Sequence, residues 1–456
     1  MKRSILNIIL SILVLSFVSC STTQNQNANT PPDAHINLGG PRPAGQNNVL
    51  QLAVDPIPTV RVAVIGAGNR GSKASRRFTF MDGVEIKAIC DIREAALTKT
   101  QGMITDRDFP PADEYLGEEA WREVVERDDI DLVYITTDWA NHVPMAVYAM
   151  EQGKHVAIEV PAAMSIDECW QLVDTAEKMR VHCTILENCC YDFFELNTLN
   201  MAQQGLFGEL VHVEGAYIHD LRGQLRSTTN WRTPFYEDYT GNPYPTHGLG
   251  PVCQALNIHR GDKMNYLVSV SSDQFGMTQY LEDTFGKDSE RAKKEYKMGD
   301  MNTTIIKTEK GKTIMIQHDV TSPRPYSRLH TLSGTKGFAQ KYPNPGIALE
   351  PDAHNFLKKE EYNKLIKEYE HPFITEIGEY AKTVGGHGGM DFIMDYRLIY
   401  CLQNGLPLDI DVYDAAEWSC LVELTEISAS NGGVPVRIPD FTRGDWDQLN
   451  GLKFAK

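Results

Sequence analysis

Val60-Arg-Val-Ala-Val-Ile65, Gly66-Ala-Gly68-Asn-Arg-Gly71 and Val84-Glu-Ile-Lys-Ala-Ile-Cys-Asp91 decide the fold. The first is a β-branched run of strand length. The second is a G-x-G-x-x-G turn opening a helical stretch to about Phe80, and the third is a strand ending in an acid. In this order the glycines permit a tight turn, close approach of a pyrophosphate, and close packing of helix on strand. The helix N-terminus offers unpaired N–H donors to the phosphates. Asp91 stands 20 residues beyond Gly71, where a carboxylate accepts hydrogen bonds from the adenosine ribose hydroxyls. A 2′-phosphate would meet that charge, so the acid favours NAD over NADP, a preference that nearby Arg93 softens.

Downstream the alternation continues. Helix 119–127 leads to strand Ile130–Thr137, helix 143–152 to strand His155–Glu159, and helix 165–179 to strand His182–Glu187. Repeated units of this kind predict a doubly wound parallel sheet, a Rossmann domain over residues 58–190, with ligands at the carboxyl ends of its strands. Three loops lie there: Asp138-Trp-Ala-Asn-His142, Glu159-Val-Pro161 and Glu187-Asn-Cys-Cys-Tyr191. For Asn141 and Glu187 a capping role and a functional one are equally open.

After Tyr191 the pattern changes. Helix 192–204 precedes an alternating strand Glu209–Ile218, and further strands are expected at Tyr266–Ser271, Thr303–Thr308, Thr313–Gln317 and His330–Ser333. Residues 191–456 are therefore expected to form an α+β domain with a largely antiparallel sheet. Helices are expected from Gly386 to about 404 and over 412–430. Loops rich in Tyr, Arg, His and Trp occur at 230–232, 244–251 and 322–326, and aromatic faces with a few hydrogen-bonding groups suit sugars.

At the other end, Lys2 and Arg3 precede the apolar run Ile5–Val18 and then Ser19-Cys20. A charged head, a short apolar stretch and a small residue mark an export signal. Phe17-Val18-Ser19-Cys20 resembles a bacterial lipoprotein signal, which implies removal of residues 1–19, a lipidated Cys20 and attachment to a cell membrane. Residues 20–57, polar at first and then rich in Pro and Gly, are expected to be a flexible tether.

The chain has 456 residues, 44 basic and 61 acidic side chains, and a formal charge of −17. That excess argues against nucleic acid as a partner. The 42% hydrophobic content excludes general disorder. Nine cysteines include no C-x-x-C pair, and no cluster has metal-ligand spacing, so no metal is expected.

Residues 60–190 resemble the dinucleotide domain of the Gfo/Idh/MocA oxidoreductases. That group usually carries Glu-Lys-Pro after a late strand, and its lysine serves sugar oxidation; here the segment is Glu159-Val160-Pro161. Asn69-Arg70-Gly71, Trp139-Ala-Asn-His142, Glu159-Val-Pro-Ala162, Glu187-Asn-Cys-Cys-Tyr191, Trp231-Arg232, Tyr244-Pro-Thr-His247, Pro323-Arg-Pro-Tyr326 and His387-Gly-Gly-Met-Asp391 resemble glycoside hydrolase family 109 instead. The resemblance spans roughly 58–446 and implies an α-N-acetylgalactosaminidase with bound NAD. It carries NAD contacts to Asn69, Arg70, Asp91, Trp139, Ala140, Asn141, His142, Glu159, Val160 and Asn188. Substrate contacts fall on Tyr217, Arg232, Tyr244, Pro245, Thr246, His247 and Tyr326.

The route implied by the family is redox-neutral: oxidation at sugar C3, loss of the C2 proton with departure of the C1 aglycone, addition of water, and reduction. Tyr191 is the expected base at C2, with Tyr244 and His247 around C2 and C3. A tyrosine with its usual pKa near ~10 needs a cationic or hydrogen-bonding neighbour for that work. Glu159 is expected to orient the nicotinamide ribose or relay a proton, and His387 to start a helix. Two other functions fit the same chain: a net sugar oxidoreductase, which Val160 disfavours, and a non-catalytic carbohydrate-binding lipoprotein. The exposed second sheet offers a surface for a homo-oligomer.

Overall fold

The computed structural model describes residues 36–227 and 230–456. The expected signal and Cys20 lie outside the described residues.

Six parallel strands form the first sheet: β1 (Val60–Ile65), β2 (Val84–Asp91), β3 (Asp113–Leu116), β4 (Leu132–Ile135), β5 (His155–Ile158) and β6 (Cys183–Ile185). Their order is β3-β2-β1-β4-β5-β6, so the winding reverses between β1 and β4 and opens a crevice at the carboxyl ends there. β1 and β4 are buried on both faces, which is why they are near-continuous apolar runs. The helix Ile166–Met179 begins where the sequence indicates, with Ser165 and Glu168 forming a reciprocal capping box. The helix expected over 143–152 starts earlier, at Trp139, and holds Pro144 inside it.

The second sheet has eight strands: β7 (Leu210–Ile218), β8 (Met264–Ser271), β9 (Asn302–Thr308), β10 (Thr313–Asp319), β11 (Ser327–Gly334), β12 (Gly337–Gln340), β13 (Gly346–Leu349) and β14 (Val436–Arg437). The order is β13-β12-β11-β7-β10-β9-β8-β14. β7 and β10 run parallel and the other pairs are antiparallel. The Rossmann sheet plus a largely antiparallel second sheet is the expected fold.

Two boundaries differ from the sequence-based division. Late helices return to the nucleotide domain: Asp395, in helix Met390–Asn404, accepts from Arg77 Nε (2.6 Å) and from the Tyr134 hydroxyl (2.8 Å). Ser419 and Glu423 accept from the Ala162 and Ile166 N–H groups. The stretch 412–430 forms two helices, Val412–Ser419 and Leu421–Ser430.

Residues 36–57, expected as tether, instead form a strap packed on the body. The Trp170 indole donates to the Asn37 carbonyl, Arg42 pairs with Glu177, Val49 and Leu52 are buried, and the Val54 and Ile57 N–H groups bond Gly405 and Leu402. Composition misled because sparse apolar residues suffice when the polar backbone finds partners.

Candidate active site

The glycine turn closes as its sequence demands. Gly66 has φ +91°, and a Cβ there would lie 2.7 Å from the Thr136 carbonyl; one on Gly71 would lie 2.2 Å from the Gly66 oxygen. A Cβ on Gly68 would meet only the end of Arg93, at 3.0 Å. The space over Gly68 is thus open, beside a helix that starts at Asn69 with no side-chain cap and no acid in its first turn. Free N–H donors over an open glycine fit a pyrophosphate. Asp91 ends β2 beside the turn and accepts from the Arg93 N–H (2.9 Å) and Nε (3.1 Å).

Arg70, expected at the NAD, makes two ion pairs. Its Nε donates to Glu159 Oε1 (2.5 Å) and its Nη1 lies 3.5 Å from Asp391 Oδ2, so its charge is engaged by two carboxylates. Asp391 also accepts from Asn188 Nδ2 (2.5 Å) and bonds His387 Nδ1 (2.9 Å). Burial alone would raise its pKa, but the His387 hydrogen bond with Arg70 and Arg77 holds it well below the usual carboxylate range. His387 sits at φ +44° among four glycines, its side chain half exposed.

In the 139–142 segment, Trp139 is buried and donates its indole N–H to the Val160 carbonyl (3.2 Å). Ala140 and Asn141 are exposed, and Asn141 bonds Asp138. The His142 ring is buried between the carbonyls of Pro161 (2.9 Å) and Thr137 (3.3 Å). Its imidazole therefore fixes these loops, and burial lowers its pKa.

Asn188–Tyr191 is a 3₁₀ turn, and its geometry separates the residues of Glu187-Asn-Cys-Cys-Tyr191. Side chains three apart eclipse in such a turn. Glu187 and Cys190 face the helix Thr246–Leu256, where both approach Gly250. Asn188 and Tyr191 face the opposite way, toward helix Met390–Asn404. The Tyr191 hydroxyl donates to Asp409 Oδ2 (3.4 Å), lining a small cavity of about 20 Å³ with Met394 and Leu398. Burial and the Asp409 charge push its pKa well up. Tyr191 thus has neither the activating cation nor the position expected of a base: Arg397 is nearby but bonds Asp409 bidentately at 2.8 Å.

The imidazole comes from His247 instead. Helix Thr246–Leu256 presses on β7 because Gly215 and Gly248 meet there without side chains. Pro245 takes the cap position, its carbonyl accepting from Gly248 and Leu249, and Thr246 is buried behind it. His247 Nδ1 bonds both oxygens of Glu187, at 2.8 and 3.0 Å. Burial would raise the Glu187 pKa, but its partner His247 and the Cys189 N–H outweigh burial and lower the value. Around His247 lie Tyr244 (ring centroids 4.9 Å) and Tyr217 (5.5 Å). Tyr217 and Tyr244 contact each other at 4.5 Å, and Trp139 lies 6.2 Å from Tyr244. The Arg232 guanidinium is 5.1 Å from the Tyr244 ring and 5.2 Å from that of Trp139. Burial raises the Tyr244 pKa well above ordinary despite Arg232, leaving a neutral hydroxyl. Tyr326 joins through His219, which contacts Tyr217 at 4.7 Å and Tyr326 at 5.2 Å. Arg328 donates to the Tyr326 hydroxyl (3.2 Å) and is itself fixed by Asp192 and Glu195.

The structure therefore gathers Trp139, Tyr217, Arg232, Tyr244, His247 and Tyr326 at the carboxyl edge of the parallel sheet, next to Glu159, Val160 and Asn188. Tyr191 is excluded. Glu187, Asp391 and His219 were missed as site residues. The signal for Glu187 was its place directly after β6, and for Asp391 its spacing of four from His387 on a helix start. His219 had only its place two residues beyond Tyr217 on β7.

This fold and cleft define a dinucleotide-dependent enzyme of oxidoreductase architecture. An oxidoreductase domain protein from Kribbella flavida shares the fold with a TM-score of 0.65 at 16% identity, covering 84% of this chain and 100% of that one. A levoglucosan dehydrogenase in complex with NADH does so with a TM-score of 0.63, also at 16% identity and with the same coverage. Residues 60–186 match the NAD-binding Rossmann fold of the oxidoreductase family, and residues 191–448 the C-terminal domain of glycosyl hydrolase 109. An alpha-N-acetylgalactosaminidase of Bacteroides fragilis is 60% identical over 89% of this chain and 97% of its own. A glycosyl hydrolase family 109 protein of Bacteroides thetaiotaomicron is 48% identical over 100% of this chain and 99% of its own. The chain belongs to glycosyl hydrolase family 109. It is a glycoside hydrolase that uses NAD.

Proposed function

We propose that the protein removes terminal α-linked N-acetylgalactosamine from a glycan by the redox-neutral route. One observation carries this beyond the family: among the described residues, the cleft carboxylates Glu159, Glu187 and Asp391 are all engaged. Arg70 holds Glu159, His247 holds Glu187, and Asn188 with His387 holds Asp391. Ordinary glycoside hydrolysis needs two free carboxyl groups flanking the bond. This cleft offers the imidazoles of His219, His247 and His387 and a group of neutral tyrosines instead.

When bound, NAD would supply reversible oxidation at sugar C3, acidifying the proton on C2. His247 removes that proton, with Tyr217 and Tyr244 beside it and Arg232 positioning the sugar. His387, held through Nδ1 by Asp391, gives a proton to the departing C1 oxygen and takes one from the incoming water. Gly68 and the Asn69 helix start would hold the pyrophosphate, and Asp91 the adenosine ribose. Arg70 positions Glu159, and Trp139 closes the cleft. Val160, apolar and buried, stands where an oxidising member of the superfamily presents a lysine.

An aryl α-N-acetylgalactosaminide in heavy water tests this. Aryl release, deuterium at sugar C2 and no net NADH are expected; lasting NADH, or release without deuterium, overturns it. The export motif supports a lipoprotein anchored through Cys20 to a bacterial cell membrane, and Cys20→Ala should then leave the protein unlipidated by mass spectrometry. Exposed Val211, Val270 and Ile305 on the outer face of the second sheet support self-association, which light scattering measures.

A further inference from the structure

Among the described residues, His247 is hydrogen-bonded from one side only. Its Nδ1 meets both oxygens of Glu187, at 2.8 and 3.0 Å. Glu187 is fully buried, and the Cys189 N–H donates to its Oε1 (3.0 Å). A carboxylate accepts only, so Nδ1 must carry the hydrogen, and the neutral ring keeps its lone pair on Nε2. Both residues are placed by backbone: Glu187 by the end of β6 and the 3₁₀ turn, His247 by the helix that Gly248 and Gly250 allow close to β7 and to Glu187.

We propose that Glu187 is the positioning residue for His247, fixing the tautomer that presents Nε2 as base and compensating the imidazolium formed when the sugar C2 proton arrives. This rests on the reading of His247 as the base. The proton moves from C2 to Nε2, the C–H pair passes into the sugar, and Glu187 stays ionised throughout. Other titratable groups facing the pair do not substitute for it. Tyr217 and Tyr244 present rings to His247, and His219 adds to it no negative charge. Arg232 and His318 bring no anion from their elements. Burial pushes the Cys189 and Cys190 thiols well up, so both stay neutral.

Glu187→Gln keeps the shape and removes the charge. With NAD still bound, kcat and C2 deuterium exchange should fall together by about 10²–10⁴-fold, with KM little changed. Glu187→Asp keeps the charge at shorter reach and should recover part of the rate. A folded Glu187→Gln with unchanged kcat overturns the proposal. If that variant does not fold, Glu187→Asp decides: lowered kcat with KM little changed supports the role, and unchanged kcat overturns it. His247→Ala separates the two layers. Retained C2 exchange there overturns the base reading, whereas lost exchange there beside full exchange in Glu187→Gln overturns only the role of Glu187.

Discussion

Gly248→Ala tests whether the helix that carries His247 is seated by glycine. A Cβ at Gly248 would lie 2.3 Å from Ala216 N and 2.7 Å from Gly215 C, both backbone atoms of β7. Non-bonded heavy atoms prefer roughly 3.5 Å, so strand and helix must part by about 1 Å. No flexible side chain can absorb the difference. His247 is the preceding residue, and its bonds to Glu187 at 2.8 and 3.0 Å would stretch past hydrogen-bonding range. A displacement of that size at a reacting group costs on the order of 10²-fold in rate, and overpacking costs about 1–3 kcal/mol of stability. Aryl α-N-acetylgalactosaminide turnover and urea unfolding measure the two effects. Gly102→Ala is the matched control: nothing lies within 4 Å of its Cβ position, so the helix should gain up to about 1 kcal/mol with unchanged activity. Wild-type kcat and stability in Gly248→Ala would refute the reasoning.

Tyr191→Phe should keep kcat and C2 exchange within a few-fold of wild type, losing about 1 kcal/mol, because it gives up one 3.4 Å bond to an Asp409 that Arg397 still holds; abolished exchange by mass spectrometry would restore Tyr191 as base. Arg77→Met leaves Asp395 buried against Tyr134 without its cation and should cost about 3–5 kcal/mol in urea unfolding; a loss below 1 kcal/mol refutes it. Stability should also decline as pH falls below 6.5. Burial lowers His155 and His371 to about 4 and His182 and His318 to about 3, and His330 is lowered to about 4. The unfolded chain therefore binds more protons between those values and 6.5, each group contributing up to about 1.4 kcal/mol per pH unit. His259, raised to about 10, works in the opposite window and keeps its contribution below 6.5. Urea midpoints equal at pH 5 and pH 7 would contradict this.

The nucleotide half was legible because its signals are local. β1, the glycine turn and Asp91 lie within 32 residues of each other, and a parallel sheet turns burial on both faces into apolar runs. The cleft was legible as a set of loops but not as a geometry. Tyr191 and Glu187 are four apart in one loop, and only the 3₁₀ turn, which alternation cannot reveal, sends one to Asp409 and the other to His247. The ion pairs of Arg70 were hidden because its partners Glu159 and Asp391 are 89 and 321 residues away. The strap was hidden by composition: its anchors, Trp170, Glu177 and Tyr413, lie far downstream.

The return of the late helices sets an order of folding. Arg77 and Tyr134 are made early, but Asp395, their shared buried partner, comes some 260 to 320 residues later. Ser419 and Glu423 complete the Ala162–Ile166 corner later still, and Thr442 and Asp445 receive Arg42 of the strap. An N-terminal domain usually folds as a unit while its chain is still being made. Here the contacts that complete the nucleotide-binding half come from as late as residue 445. Its contacts are long-range, so folding should be slow, and a truncated chain is left with the charge of Arg77 without Asp391 and Asp395. A ribosome-stalled or clipped form therefore has no intact dinucleotide domain to retain, and cofactor uptake becomes a late event in the life of the molecule.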